Sequence, residues 1–68
     1  MERKHYLFEG CGSPKIQGVT IYEGWFSEIN MVTMAQGIVV GLRQYCKGAF
    51  VNVYEEIEGD WHLVRVQK

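Results

Sequence analysis

The sequence predicts an α+β fold: a four-stranded antiparallel sheet with one helix on one face, in the order ββαββ. Three observations carry this. One central segment repeats apolar residues at helical spacing, a strand–turn–strand pattern follows it, and two strand-like runs precede it. One helix laid across one side of a four-stranded sheet is the simplest packing of these pieces. With 68 residues, the chain has room for a single domain, residues 1–68.

His5-Tyr6-Leu7-Phe8-Glu9 reads as the first strand. Gly10-Cys11-Gly12-Ser13-Pro14 reads as a loop, because two glycines and the only proline interrupt regular structure there. Gly18-Val19-Thr20-Ile21-Tyr22-Glu23 is the second strand, with Trp25 as its furthest extent. Trp25, Phe26 and Ile29 must be placed somewhere, and their spacing suits a loop, a strand extension or a helical turn equally.

Thr33-Met34-Ala35-Gln36 has the form of a capping box, which predicts a helix over about 34–47. Ala35, Ile38, Val39, Leu42 and Cys46 form its apolar stripe. Gly48 fits a left-handed stop, with Arg43 and Lys47 near the negative end of the helix dipole.

Ala49 to Ile57 and Asp60 to Val66 are rich in strand formers, and Glu58-Gly59 supplies a two-residue turn. That turn sets Val51 against Val66 and Val53 against Val64 on the core side. It sets Asn52 against Arg65, Tyr54 against Leu63 and Glu56 against Trp61 on the other. A single helix covers a single face. The second face, with Phe50, Tyr54, Trp61 and Leu63, therefore meets solvent or a partner, unless the Trp25–Ile29 segment folds over it.

Composition narrows the function. Apolar residues at 47% and charged residues at 22% mark a globular chain, not a disordered one. Seven basic and eight acidic residues give a net charge of -1, which disfavours nucleic acid as a non-specific partner. Arg3, Lys4, Arg65 and Lys68 offer at most a local basic edge. No apolar run approaches the roughly 18–20 residues of a membrane span. Met1 to His5 leads into a strand without a signal peptide's apolar segment, so the expectation is a soluble cytoplasmic protein with no membrane partner.

In that compartment Cys11 and Cys46 stay reduced. Together with His5 and His62 they show no zinc-site spacing, and no cofactor is implied. A domain this small buries only roughly 60% of its unfolded surface, which favours self-association as a further source of burial. Met34, Gly37, Gly41 and Tyr45 make a second stripe on the helix. Two mid-helix glycines cost about 1 kcal/mol each against alanine, so another backbone should approach them: their own sheet, or a second copy in a homodimer.

The candidate chemistry is thin. Gly10-Cys11-Gly12-Ser13 lacks the Gly-Lys-Ser/Thr end and following helix of a phosphate loop. Cys11 or Ser13 as a nucleophile has no base at informative spacing. Glu55, Glu56, Glu58 and Asp60 gather carboxylates at the last hairpin, as a solvated turn or as a docking patch for a basic surface; their order does not match a calcium loop.

Taken whole, the glycine-broken first hairpin, the helix opening at Thr33 and Ala49-Phe50-Val51-Asn52-Val53-Tyr54 resemble the small α/β proteins of bacteriophages and mobile elements, including anti-CRISPR and other counter-defence proteins. The resemblance implies binding to a host protein or ribonucleoprotein complex rather than catalysis. The residues expected to contact such a partner are Phe50, Tyr54, Glu56, Glu58, Asp60, Trp61, Leu63 and Arg65. The alternatives are a small nucleic-acid-binding or regulatory protein and a self-associating accessory protein.

Overall fold

The computed structural model describes residues 2–12 and 18–68. The elements are β1 (Lys4–Cys11), β2 (Val19–Phe26), α1 (Glu28–Leu42), β3 (Phe50–Ile57) and β4 (Asp60–Gln67). The four strands form one antiparallel sheet in the order β2-β1-β3-β4, so the expected ββαββ architecture is the one observed. Gly10 and Cys11 continue β1 instead of opening a loop, and Ser13, Pro14 and Lys15 lie outside the described residues.

The core sits between α1 and the two central strands. Tyr6 and Phe8 of β1 and Val51 and Val53 of β3 share one sheet face and are fully buried against Met31, Ala35 and Val39 of α1. Phe26, Val32, Met34, Ile38 and Leu42 close its margins. Alternation along each strand places the intervening residues on the opposite face, which α1 does not touch.

The helix starts six residues before the expected place. Ser27, at φ -69° and ψ 160°, is the N-cap, and its hydroxyl accepts from the Asn30 backbone N–H at 3.3 Å. Thr33 lies inside the helix, its hydroxyl donating to the Ile29 carbonyl at 3.2 Å. A capping pattern works only where the backbone is extended, and Thr33 is already helical. The earlier start brings Met31 into the core and turns Phe26 onto its edge.

The helix also stops early, at Leu42. Arg43 caps it in a right-handed conformation, and the Arg43 Nε donates to the Ala49 carbonyl at 3.0 Å, tying the helix end to the start of β3. Gly48 is not left-handed; the positive-φ glycines are Gly12, Gly18 and Gly59. At Gly12, φ is 120° and a Cβ would come within 2.6 Å of the Gly48 carbonyl, so the absence of a side chain on Gly12 lets this segment pass. Cys46 leaves the core stripe and donates its thiol to the Gly12 carbonyl at 3.4 Å.

The β3–β4 turn is the expected two-residue one. Glu58 and Gly59 have φ of 53° and 87°, and both central residues of the preferred hairpin turn need positive φ. Tyr54 opposes Leu63 and Glu56 opposes Trp61, as the pattern predicts. Beyond Tyr54 the register slips. Val64 is an extra residue, so Val53 faces Arg65, Asn52 faces Val66 and Val51 faces Gln67. Val64 and Val66 are therefore 44% and 45% exposed and not part of the core. The core gives β4 no buried side chain to pin its register, and a bulge can form at that edge. β2, the other edge, has its own bulge at Ile21.

Gly37 and Gly41 pack against nothing among the described residues. A Cβ at Gly37 or Gly41 would meet no atom within 4 Å, which overturns the expectation of close packing on the sheet. Met34 borders the core, while Tyr45 lies past the helix end and is 89% exposed. In the monomer, Gly37→Ala and Gly41→Ala should each raise stability by about 0.5–1 kcal/mol. Ser27→Ala should lower it by about 1 kcal/mol and Thr33→Ala should change it by less than about 0.5 kcal/mol. Urea unfolding measures all four; a loss of stability at either glycine would mean that a second copy closes over the helix.

Candidate functional site

The sheet face away from α1 is open. The Trp25–Ile29 segment does not fold across it: it ends β2, turns at Ser27 and enters the helix, leaving Trp25 60% and Ile29 67% exposed. Strand pairing places the open-face residues in rows. In one row, Trp25 of β2 opposes His5 of β1, and Glu56 of β3 opposes Trp61 of β4. In the next, Glu23, Leu7, Tyr54 and Leu63 follow one another across the sheet. Beyond it lie Thr20, Glu9, Asn52 and Val66, and then Cys11 beside Phe50.

The first row closes around His5. Its ring stacks on Trp25 with centroids 4.6 Å apart and an interplanar angle of 9°, and meets Trp61 at 4.9 Å and 60°. Its Nε2 lies 2.7 Å from Glu23 Oε2, and its Nδ1 3.6 Å from Glu56 Oε1. The Glu56 Oε2 accepts from the Gly59 N–H at 2.8 Å, so the hairpin turn helps to aim this carboxylate.

A second polar group occupies the middle of the face. Glu9 Oε1 accepts from the Tyr54 hydroxyl at 2.9 Å, from Asn52 Nδ2 at 3.4 Å and, at 3.7 Å, from the Cys11 thiol. The hydrogen bond to Glu9, then burial and the carboxylate's charge, push the Tyr54 phenol above its ordinary pKa. Leu7, Glu9, Thr20, Tyr54 and Trp61 line a shallow hollow of about 250 Å³ here. Larger hollows, of about 530 and 510 Å³, flank α1 on the other side of the sheet. They lie apart from the clustered aromatic and ionisable groups of the open face.

No family model, curated protein or solved structure matches this chain.

Of the residues expected to contact a partner, Phe50, Tyr54, Glu56, Trp61 and Leu63 share the open face. Arg65 does not: the bulge at Val64 sets it opposite Val53 on the helix side, where its Nε donates to Gln67 Oε1 at 2.8 Å. Glu58 sits in the turn, and Asp60 opposes Ile57, whose side of the sheet is the helix side. The acidic group is thus divided, since Glu55 also faces that side, 3.9 Å from Lys4 Nζ.

Sequence reasoning missed His5, Glu9, Glu23 and Trp25 as members of the face. Alternation in β1 put His5 and Glu9 opposite to Tyr6 and Phe8, and that signal was available. Gly24 masked the continuation of β2. It opposes Tyr6, and a Cβ there would come within 3.0 Å of the Tyr22 ring and 3.2 Å of Phe26, so glycine lets those two rings meet over the strand.

Among the described residues, no group of three or more His, Cys, Asp or Glu side chains is placed to hold a metal ion. No helix among them is long and apolar enough to cross a membrane.

Two tyrosines link the fold to alkaline pH. Tyr6, raised chiefly by burial and then by Glu55, and Tyr54, raised chiefly by Glu9, are both favoured as neutral phenols in the folded chain. A group with a raised folded pKa contributes stability that is complete below its unfolded value and lost as pH rises through the folded value. Stability should therefore fall once pH climbs past about 10, the ordinary tyrosine value. Glu9→Gln removes the charge beside Tyr54, and should bring forward one step of the phenolate absorbance titration.

Proposed function

We propose that this chain is a protein-binding module that acts by docking, through the open sheet face, onto a basic surface of a partner. The observation that carries the reading is the Trp25–His5–Trp61 cluster with Glu23 and Glu56 around it. Trp25, Trp61 and Leu63 are 60%, 41% and 54% exposed: Trp61 and Leu63 lie on β4, and Trp25 reaches His5 from the opposite edge strand, β2. Large rigid aromatics of this kind dominate interface energetics, and exposed apolar patches with polar surroundings mark binding surfaces.

Charge selects the partner. Among the described strand residues, the face carries Glu9, Glu23 and Glu56, with His5 as its one basic side chain. Such a field repels phosphate and attracts lysine and arginine, so it complements a protein surface that itself grips nucleic acid. A host protein or ribonucleoprotein complex has such surfaces, which is the class of target implied by the resemblance to phage counter-defence proteins. Stacking of bases on the tryptophans is the competing use of an open aromatic sheet, and the same carboxylates oppose it.

Trp25→Ala and Trp61→Ala each remove an exposed anchor while leaving Tyr6, Phe8, Val51 and Val53 packed against the helix. Both variants should keep the native circular dichroism spectrum. Each should lose salt-sensitive capture of a basic protein from a bacterial lysate, with a cost of about 2 kcal/mol or more in affinity for the captured partner. Unchanged capture by both variants would place the working surface elsewhere. Micromolar binding of a generic single-stranded oligonucleotide would favour the nucleic-acid reading instead.

A further inference from the structure

His5 is held as a flat cation would be. A neutral imidazole has one N–H and can donate to one carboxylate only; an imidazolium has a donor on each nitrogen. Here Glu23 lies 2.7 Å from one nitrogen and Glu56 lies 3.6 Å from the other. The indole of Trp25 covers the ring face in parallel at 4.6 Å, and Trp61 closes in at 4.9 Å. Aromatic faces attract cations, and a guanidinium shares with imidazolium its planarity, its delocalised charge and its in-plane donors.

We propose that Trp25, Trp61, Glu23 and Glu56 form a receptor for an arginine side chain of the partner, with His5 as the built-in competitor for that receptor. This rests on the reading of the open face as a docking surface for a basic partner, and adds the partner group and its control by pH. When His5 is protonated, its imidazolium engages both carboxylates and repels an incoming guanidinium. When His5 is neutral, one carboxylate is left without a donor from the ring, and the guanidinium can take it while stacking on an indole.

Among the described residues, the charged groups that meet His5 are Glu23 from β2 and Glu56 from β3; Trp61 contributes no charge from β4, and α1 lies across the opposite face. Imidazoles change charge between about pH 5 and 8, whereas glutamates remain largely ionised above about pH 5.5. Arginine binding and proton binding therefore oppose each other, and the coupling is reciprocal.

The test uses a blocked hexa-arginine peptide, titrated into the full chain at about pH 5.5 and about pH 8 at constant ionic strength. The indole N–H resonances report the site. The peptide should shift both indole signals and bind about three- to fivefold more tightly at the higher pH, the scale of one partly exposed ion pair. His5→Gln should bind equally at both pH values, and His62→Gln should keep the wild-type difference.

Indole shifts with equal affinity at both pH values in the wild type would overturn the competitor role while leaving the docking surface standing. A hexa-lysine peptide that binds as tightly would overturn the guanidinium receptor. Absence of any indole shift at either pH would remove both the receptor and the basic-partner reading. The wild-type comparison needs no variant to fold.

Discussion

The contact between α1 and the β1–β3 pair organises this molecule. Tyr6, Phe8, Val51 and Val53 meet Met31, Ala35 and Val39 in one layer, and few other side chains are fully removed from water. Side chains such as Phe8, Met31 and the three valines each contribute roughly 1.5–3 kcal/mol on burial. A single 15-residue helix can supply that layer once. Among the described residues there is no second helix, so the sheet has one dry face and one wet face.

Consequences follow at the edges and on the open side. β2 and β4 flank the buried pair and receive little cover; each carries a bulge, a common means of blunting an edge that would otherwise template pairing with another chain. On the wet face, polar groups of the central strands are satisfied, Glu9 by Tyr54 and Asn52, and His5 by Glu23 of the neighbouring edge strand. The edge strands contribute the exposed tryptophans. Aromatic anchors thus converge from the two opposite edges of the sheet onto a histidine of β1, an arrangement that neither hairpin forms alone.

That geometry explains what was legible in the sequence. The β3–β4 hairpin is local, so Tyr54–Leu63 and Glu56–Trp61 could be paired from the turn outward. The same logic failed past Val64, where no buried side chain enforces the register, and it misplaced Arg65. The helix was visible from Ala35, Val39 and their neighbours. Its start was misread because Thr33-x-x-Gln36 imitates a cap, whereas Ser27 caps through Asn30 without a glutamate or glutamine at that position. The site was half legible. Trp25, His5 and Glu23 join the hairpin only through pairing of β1 with β3, where partners such as Tyr6 and Glu55 are far apart in the chain, and no local pattern announces that pairing.

The central claim is that one sheet face is packed and the other is open in the isolated chain. A soluble paramagnetic relaxation agent added during two-dimensional NMR tests it directly. The account predicts strong broadening of the Trp25 and Trp61 indole signals, with the methyl groups of Val51 and Val53 left sharp. Protected indoles would contradict it, since the face that the helix leaves bare would then be covered by this chain or by a second copy of it.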